Sequence, residues 1–352
     1  MLAARTNDLK IESPMVSDAA TQVSWQQIFD PAEQFLNEVA ASLLEQVNNF
    51  EPEISSYARY ALASQGKQLR PILVYYSAEA TGGYGRQHVT IATIIEMIHL
   101  ATLVHDDILD QAKIRRGRPT LAANWGNEIS VLLGDCLFAQ ALKLAASFKT
   151  TGVCRAVSES TNIVCSGEIL QTLRRRNFQT SRSEYFRILS MKTAELFALA
   201  CRLGGMQENE VSSPYTEALV RYGTAMGTGY QVYDDCVDLF GTETSTGKSL
   251  GTDMANGKVT LPLLITFEQS SIEQRDKLTG LIQDWKPQYL ASLLTLLEQQ
   301  NALEQSRDCI SQLLDQALAP LVVVPETSGK KGLVDLVGFL RAQVQTLRPL
   351  TK

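Results

Sequence analysis

The distribution of apolar and polar residues along the chain is typical of helices. Long segments rich in Ala, Leu, Glu and Gln contain only short β-branched runs, and none shows the alternation of apolar and polar residues that marks a half-buried strand. The clearest of these segments are Phe35–Val47, Ile91–Asp110, Ser130–Ser147, Glu184–Leu203 and Tyr215–Phe240. Helical segments without strands between them predict an all-α fold, a single large helical bundle.

The chain length and the segment boundaries predict one domain. The 352 residues are within reach of one large helical domain. Residues 1–24 lack apolar periodicity, so we expect a flexible N-terminal tail followed by a helical domain over residues 25–352. A loop rich in turn-forming residues at 325–329 sets off a predicted last helix, Gly329–Leu347.

Composition excludes several classes of partner. The net charge of −6 favours neither nucleic acid nor broad adhesion to anionic lipid. The six cysteines are scattered without a C-x-x-C pair, which indicates small buried residues in a reducing compartment. No apolar run is expected to approach the length of a membrane span, and the N-terminal segment has neither a signal-peptide nor a transit-peptide pattern. We therefore expect a cytoplasmic protein without a transmembrane segment.

The sequence contains two aspartate-rich segments with the same D-D-x-x-D spacing. Their carboxylates belong to Asp106, Asp107, Asp110, Asp234, Asp235 and Asp238. On a helix, positions i and i+4 lie on one face about 6 Å apart, so the first and last aspartate of each motif are expected to point the same way. Oxygen ligands without His or Cys suit a hard cation such as magnesium, which takes phosphate oxygens as further ligands. The motifs predict a diphosphate held between metal ions.

The alternative interpretation is that both motifs are solvated acidic turns, because charged residues are mostly exposed. Each motif, however, is preceded by apolar sequence, Ile-His-Leu-Ala-Thr-Leu-Val in one case and Gly-Tyr-Gln-Val-Tyr in the other. Surface acids do not usually interrupt a core-facing run twice with identical spacing. The pattern therefore favours a functional site.

Basic loops accompany the acidic motifs. The segment 113–120 follows the first motif, one loop region containing 246–253 and 257–262 follows the second, and 66–71 lies upstream of both. Glycines beside Lys and Arg let cations approach phosphate oxygens closely. The G-x-x-x-x-G-K-[ST] phosphate loop is absent from the sequence. Three basic loops, two of them flanking acidic motifs, indicate a polyanion site.

The order of these motifs resembles that of trans-type prenyl diphosphate synthases, members of the polyprenyl synthetase family. From Gly66 to Pro262 the chain carries G-K-x-x-R-P, the first D-D-x-x-D with R-R-G-R-P-T, a Lys-Thr pair, a Gln ahead of the second D-D-x-x-D, and G-K-x-x-G-T-D. One departure is Gln65, where many members have a second Gly; a loop usually tolerates that change.

The resemblance implies an all-α bundle around a central cavity, and magnesium-dependent condensation of isopentenyl diphosphate with an allylic diphosphate by ionisation, condensation and elimination. It implies roughly three magnesium ions per active site. Asp106, Asp110 and Asp234 would bind these ions, and Asp107, Asp235 and Asp238 would support them directly or through water. A homodimer is also implied.

The same resemblance assigns roles to other residues. The implied allylic diphosphate ligands are Arg115, Lys192, Lys248 and Lys258. The implied isopentenyl diphosphate ligands are Gly66, Lys67, Arg70, His99 and Arg116. Lys192, Thr193 and Gln231 are the expected catalytic residues, the last two offering oxygens beside the allylic cation. For His99 the alternative is a satisfied core histidine, but Asp106 lies seven positions on, two turns along the same face.

Product length is expected to depend on residues below the first motif. Thr102 lies one turn of about 5.4 Å before Asp106, and Ile98 lies two turns before it. Short-chain members of the family often place aromatic residues at the positions held here by Ala101 and Thr102. These small side chains predict an open floor and a product longer than geranylgeranyl. The alternative is a short-chain enzyme in which Met97, Ile98 or a residue from 130–145 closes the cavity.

Two other functions remain open on the sequence. A class I terpene cyclase shares the bundle and one aspartate motif, but it needs a single diphosphate site. A non-catalytic subunit of a heteromeric synthase would typically have lost aspartates or phosphate-binding cations, and this chain retains them. The run Arg174–Arg176 is outside the family pattern; we expect a solvated helix end there, with contact to phospholipid or substrate as the alternative.

Overall fold

Four long helices dominate the fold, and three of them correspond to segments predicted from the sequence. In the computed structural model, which describes residues 23–63, 66–206, 215–242 and 250–348, these are α5 (Arg86–Leu109), α6 (Leu121–Ala145), α7 (Thr151–Leu173) and α10 (Thr216–Phe240). The shorter helices complete the bundle: α1 (Trp25–Phe29), α2 (Glu33–Asn48), α3 (Pro52–Leu62), α4 (Leu69–Thr81), α8 (Arg182–Leu189), α9 (Glu195–Gly204), α11 (Thr252–Ala255), α12 (Leu261–Gln269), α13 (Ile272–Gln283), α14 (Leu290–Gln299), α15 (Ala302–Leu318) and α16 (Ser328–Thr346). The predicted all-α bundle is confirmed.

Two helices form the centre of the bundle. Helix α5 packs against α2, α4, α6 and α9, and α10 packs against α9 and α15. Glycines let α10 lie directly on its neighbour: a Cβ on Gly223 would lie 2.7 Å from the Phe197 carbonyl oxygen, and one on Gly227 would lie 2.8 Å from the Ala194 Cα. This close approach places the second aspartate motif beside the segment that carries Lys192 and Thr193.

Helix α5 corrects one expectation. Arg86–Leu109 is long and apolar enough to cross a membrane by length and composition, so the statement that no apolar run approaches that length was wrong. Most of its apolar window, 61%, is buried inside the protein. Its apolarity is therefore explained by its position as a core helix surrounded by other helices.

The predicted helix over 184–203 is interrupted. After α8 the chain forms one π-helical turn, Ser190–Ala194, before α9 begins. Gly167 of α7 packs against this turn, where an added Cβ would lie 2.7 Å from the Lys192 backbone nitrogen. Single π turns inside helices recur at functional sites, and this one carries Lys192 and Thr193.

A small hairpin was not predicted. Ile114–Arg115 pairs antiparallel with Arg118–Pro119, with Ile114 opposite Pro119 and Arg115 opposite Arg118. The connecting residues Arg116 and Gly117 both have positive φ, 50° and 72°, as a two-residue type I′ turn requires. Strands of two residues are too short to produce a detectable alternation in sequence.

Helices lie at both ends of the described part of the chain. Ser24 caps α1 in a reciprocal capping box with Gln27, so the first described helix begins at Trp25. Residues 1–22 of the predicted tail lie outside the described residues. The last helix, Ser328–Thr346, agrees with its prediction to one residue at each end.

Candidate active site

A cavity of about 1200 Å³ opens among α5, α6, α7, α10 and the segment 252–260. Both aspartate motifs contribute to its wall, together with the π turn and the hairpin. Its lining includes Asp106, Asp110, Asp234, Asp235, Arg70, His99, Thr102, Arg115, Arg116, Lys192, Thr193, Gln231 and Lys258. The structure thus brings most of the predicted site residues together around one space.

In the first motif the first and last aspartates face the cavity, as the helical spacing predicts. Asp110 accepts hydrogen bonds from Lys258 Nζ at 2.9 Å and from Arg175 Nη2 at 2.7 Å. These cations and Lys192 hold the pKa of Asp110 below its usual value, although burial alone would raise it. Asp107 points away and accepts from Arg115 Nε at 2.8 Å. Arg115 therefore spans the cavity wall and the supporting aspartate.

The second motif departs from the prediction at Asp238. Asp234 and Asp235 line the cavity. Asp238 is completely buried, and its carboxylate accepts from the Thr252 backbone N–H at 3.2 Å, the Thr252 hydroxyl at 2.5 Å and the Asp253 N–H at 3.0 Å. The expectation that Asp234 and Asp238 point together was wrong, because the chain after α10 folds back over Asp238. Asp253, which the sequence prediction missed as a site residue, lines the cavity instead.

Asp235 is part of a hydrogen-bonded chain. Tyr185 donates to its Oδ2 at 2.6 Å, and Gln231 Nε2 donates to its Oδ1 at 2.9 Å. Thr193 in turn donates to Gln231 Oε1 at 2.8 Å. Burial, followed by the nearby Asp253 carboxylate, raises the pKa of Asp235 to about 8. The chain fixes the orientation of Gln231 and Thr193, and Tyr185 is a member that sequence reasoning missed.

Lys192 lies among polar groups of α5 and α7. Its ammonium pairs with Glu168, donates to Gln171 Oε1 at 2.8 Å and lies 3.6 Å from Asp106 Oδ2. Burial and then the charge of Asp106 raise the pKa of Glu168. Glu168 and Gln171 were not predicted. Their sequence signal is a pair of polar residues one helical turn apart on α7.

Lys258 connects the first aspartate motif with Asp253. Its Nζ lies 2.9 Å from Asp110 and 3.5 Å from Asp253. Burial alone would lower the pKa of Lys258, but Asp253 and Asp110 raise it above its usual value. Lys248, the other predicted lysine of this region, lies outside the described residues, as does Gln65.

A second group of nitrogen-bearing side chains lines the cavity from α4, α5 and the hairpin. Arg70, His99 and Arg116 line the space, and Arg70 stacks over the Phe197 ring at 5.1 Å. Gly66 lies against Arg116, since an added Cβ would be 2.4 Å from its Nη2. Gly66 therefore has no room for a side chain without a shift of Arg116.

Lys67 and His99, the other predicted ligands of isopentenyl diphosphate, have different environments. Lys67 lies over the Phe339 ring at 5.7 Å, on the side of α16, and is not a lining residue. Burial, followed by the charges of Arg70 and Arg116, holds the pKa of His99 well below its usual value. His99 lines the cavity wall, which is the cavity position and not the core alternative.

Glu96 is an acidic residue whose charge opposes those of Arg70 and Arg116, and it was not among the predicted site residues. Burial raises its pKa, and the charges of Arg70 and Arg116 oppose that rise. Arg70 Nε is buried and makes no hydrogen bond within the described residues. A buried guanidinium N–H without a partner points to an anionic ligand at this position.

Of the three residues expected to influence product length, one lines the cavity. Thr102 lines the cavity, but Ala101 and Ile98 are 0% and 1% exposed and pack in the core. At about 100° per residue, Ala101 lies about 140° and Ile98 about 80° around the helix from Asp106, whereas Thr102 lies about 40° away. The cavity wall on this side is completed by Leu103 and by Phe138 of α6.

Comparisons with known proteins agree with this geometry. Residues 51–298 match the family model described as polyprenyl synthetase. The chain belongs to the polyprenyl synthetase family. This membership confirms the predicted prenyltransferase class and its place in isoprenoid biosynthesis, and it disfavours the terpene cyclase.

Several known proteins and solved structures are similar to this protein over most of the chain. The octaprenyl diphosphate synthase of Escherichia coli is 35% identical, with 85% of this chain and 92% of that protein covered. The nonaprenyl diphosphate synthase of Mycobacterium tuberculosis is 34% identical, with coverages of 78% and 82%. The crystal structure of a decaprenyl diphosphate synthase from Rhodobacter capsulatus superposes with a TM-score of 0.85 at 29% identity, covering 91% of this chain and 99% of that one.

A further structure bears on the ligands of the family. The polyprenyl synthase of Caulobacter crescentus, described as a complex with calcium and isoprenyl diphosphate, has a TM-score of 0.85 at 29% identity. It covers 92% of this chain and 99% of its own. A metal ion and a diphosphate are thus bound by a protein of the same fold.

Proposed function

We propose that this chain is a magnesium-dependent, long-chain trans-polyprenyl diphosphate synthase that condenses isopentenyl diphosphate with an allylic diphosphate. The observation that carries the proposal is the position of Lys258 between Asp110 and Asp253. Asp110 of the first aspartate motif and Asp253 of the G-K-x-x-G-T-D segment thus share one cation at the cavity. Such an arrangement suits a ligand with several negative oxygens and associated metal ions.

The acidic lining is suited to magnesium. Six carboxylates line the cavity, those of Asp106, Asp110, Glu168, Asp234, Asp235 and Asp253. Within the described residues, no three acidic, His or Cys groups lie close enough together to hold a metal ion by themselves. Magnesium commonly binds one or two carboxylates and completes its shell with water and substrate phosphates, so carboxylates distributed around the cavity would suit the roughly three magnesium ions that we propose. Bound there, magnesium would stabilise the negative charge that grows on the departing diphosphate.

The chain's own residues support the ionisation of the allylic substrate. Lys192 and Lys258 are placed to neutralise its diphosphate, with Arg115 on the adjacent hairpin. Thr193 and Gln231 present oxygen atoms whose positions are fixed by their mutual hydrogen bond. These oxygens would stabilise the allylic cation beside them. We assign Lys192, Thr193 and Gln231 to this step.

The second substrate would bind without metal. Arg70 and Arg116 provide guanidinium groups on the cavity wall, and neutral His99 provides a ring nitrogen for a hydrogen bond. Gly66 leaves room for Arg116, and Lys67 lies on the neighbouring loop. The double bond of isopentenyl diphosphate would attack the cation, and the departed diphosphate would remove the final proton.

Product length is proposed to exceed geranylgeranyl. The similar proteins from Escherichia coli and Mycobacterium tuberculosis are described as octaprenyl and nonaprenyl synthases. Thr102 leaves the wall below Asp106 lined by a small side chain. The alternative is a short-chain product, since a protein 29% identical, from Methanothermobacter thermautotrophicus, is described as a short chain isoprenyl diphosphate synthase.

We further propose a homodimer in the cytoplasm. Val131 and Leu132 on α6 are large apolar side chains with exposed fractions of 43% and 60%. A second copy packed on this helix would remove them from water. The alternative is a heteromeric enzyme, since a similar protein of Bacillus subtilis is described as component 2 of a heptaprenyl diphosphate synthase.

The experiment that tests the function is an assay of the purified chain. The protein is incubated with magnesium, isopentenyl diphosphate and each allylic primer in turn, and the products are resolved by chromatography. A ladder ending beyond geranylgeranyl is the expected result. Turnover by the chain alone would exclude the non-catalytic subunit, a cyclic hydrocarbon would indicate a cyclase, and a product that stops at farnesyl would refute the long-chain assignment.

A further inference from the structure

The arginine run 174–176 is not the solvated helix end that the sequence suggests. Arg174 ends α7, and its Nε donates to Glu184 Oε1 at 2.5 Å. The Arg175 guanidinium donates to the Leu109 carbonyl oxygen at 3.0 Å and to Asp110 Oδ1 at 2.7 Å. The run therefore joins the end of α7 to the end of α5, which carries the first aspartate motif.

Arg175 and Lys258 hold the same carboxylate from different sides. Lys258 lines the cavity and binds Asp110 Oδ2, whereas Arg175 is not a lining residue and binds Oδ1. The Arg175 side chain is 23% exposed, so the contact is partly protected from solvent. A guanidinium that also binds a carbonyl at the C-terminus of α5 is favoured by the negative end of the helix dipole.

The backbone of the same turn also determines where Lys258 lies. The Arg176 N–H donates to the Gly257 carbonyl oxygen at 2.6 Å. Arg176 and Gly257 both have positive φ, 59° and 69°, and a Cβ on Gly257 would lie 2.6 Å from Arg176 Cγ. Because Lys258 follows Gly257 directly, the turn sets the positions of both cations that hold Asp110.

We propose that Arg175 is a positioning residue for metal binding: it fixes Asp110 through Oδ1 and leaves Oδ2 directed into the cavity for a divalent cation. This rests on the proposed function, since it takes Asp110 as a metal ligand. Lys258, which holds Oδ2 in this structure, is on the cavity side and can transfer its hydrogen bond to the diphosphate. Arg175 retains its contact with Oδ1 throughout.

A positioning role for Arg175 and a purely electrostatic role predict opposite changes in the affinity for a divalent cation. Removing a positive charge next to Asp110 would by Coulomb attraction strengthen the binding of a divalent cation. Loss of a positioning contact weakens it, because residues that orient metal ligands typically contribute a factor of roughly 10–100 in metal affinity. The two effects are therefore distinguished by the direction of the change.

The test is a titration of the full-length protein with Mn²⁺, followed by the electron paramagnetic resonance signal of the free ion, in the presence of a non-ionisable thiolo analogue of an allylic diphosphate. The variants are Arg175→Ala, Arg175→Gln and Arg175→Lys. Arg182→Ala is the matched control, because Arg182 lies in the same region but pairs with Glu268 on the exposed surface. Circular dichroism melts accompany each titration.

We expect the Mn²⁺ dissociation constant to rise roughly 10–100-fold for Arg175→Ala and Arg175→Gln. Arg175→Lys should be intermediate, since an ammonium lacks the planar fork that reaches both Leu109 and Asp110, and Arg182→Ala should equal the wild type. Unchanged or tighter Mn²⁺ binding in a folded Arg175 variant would overturn the proposal. If Arg175→Ala does not fold, the Gln and Lys variants decide by the same criterion.

A parallel assay of wild-type turnover keeps this test separate from that of the proposed function. An inactive wild type with the expected Mn²⁺ shifts would reject the synthase assignment and retain the positioning role. An active wild type without the Mn²⁺ shifts would support the synthase assignment and reject the positioning role of Arg175.

Discussion

The carboxylate of Asp238 is bound by the hydroxyl and the backbone N–H of Thr252, at 2.5 Å and 3.2 Å. Asp238 is thereby the acceptor for the start of α11, whereas Asp234, one turn earlier on α10, faces the cavity. One motif thus contains a cavity residue and a structural residue on the same helix.

This difference predicts opposite phenotypes for two alanine variants. Asp238→Ala leaves buried donors without an acceptor, which costs about 1–3 kcal/mol for each, so its thermal midpoint should fall clearly. Asp234→Ala should leave the midpoint nearly unchanged and lower turnover by orders of magnitude, as should Asp106→Ala. Melting curves and steady-state rates measure both effects. If Asp238→Ala were stable but inactive, Asp238 would have to be a metal-binding residue and not a structural one.

The raised pKa of Asp235 predicts a pH-dependent stability. Burial and Asp253 raise the pKa of Asp235 to about 8, so the folded protein binds this proton more tightly than the unfolded chain. Its contribution to stability is fully present below the ordinary carboxyl pKa and is lost as the pH rises through about 8. In chelator, the free energy of unfolding should therefore decline over this window. Asp235→Asn, which cannot ionise, should decline less; equal slopes in denaturant titrations would contradict the assignment.

The two cation groups predict separate effects on the substrates. Arg70→Ala and Arg116→Ala should raise the KM for isopentenyl diphosphate, since each removes a charged phosphate contact worth roughly 1.5–3 kcal/mol. Arg115→Ala should raise the KM for the allylic substrate. Its loss also leaves Asp107 without the 2.8 Å contact from Arg115, so kcat should fall as well. The reverse pattern between Arg115 and Arg116 would show that their assignment is exchanged.

The sequence predicted the elements that depend on helical periodicity and on residue chemistry. The five long segments are helical, and the first motif points its first and last aspartates into the cavity as a 3.6-residue period requires. It did not predict features that depend on contacts between distant segments. Asp238 turns structural because residues 251–253 fold onto it, and Arg175 reaches Asp110 across 65 positions of sequence.

The π turn is another feature that could not be predicted from the sequence, because it depends on contacts with distant segments. Its residues Ser-Met-Lys-Thr-Ala have no local signal that separates them from an ordinary helix. The widened turn is accompanied by packing against Gly167 on α7 and Gly227 on α10, two glycines that sequence alone does not place opposite it. Lys192 and Thr193 were recognised by their motif, whereas the backbone that orients them was not.

The wall below the first motif predicts how product length can be changed, and two neighbouring residues provide the matched test. Thr102 lines the cavity, so Thr102→Phe should place an aromatic ring in the path of the growing chain and shorten the product. Ala101 is 0% exposed in the core, where a phenylalanine has no space. Ala101→Phe should therefore lower the thermal midpoint, since overpacking costs about 1–3 kcal/mol, with a much smaller effect on the product.

Phe138 of α6, which also lines the cavity, provides the complementary change. Phe138→Ala removes a large side chain from the cavity lining and should lengthen the product or broaden its distribution. Chromatography of the dephosphorylated products from an allylic primer and isopentenyl diphosphate measures all three variants. If Ala101→Phe shortened the product while Thr102→Phe did not, the helical face that determines length would be the one buried in the core, contrary to the position of Thr102 on the cavity wall.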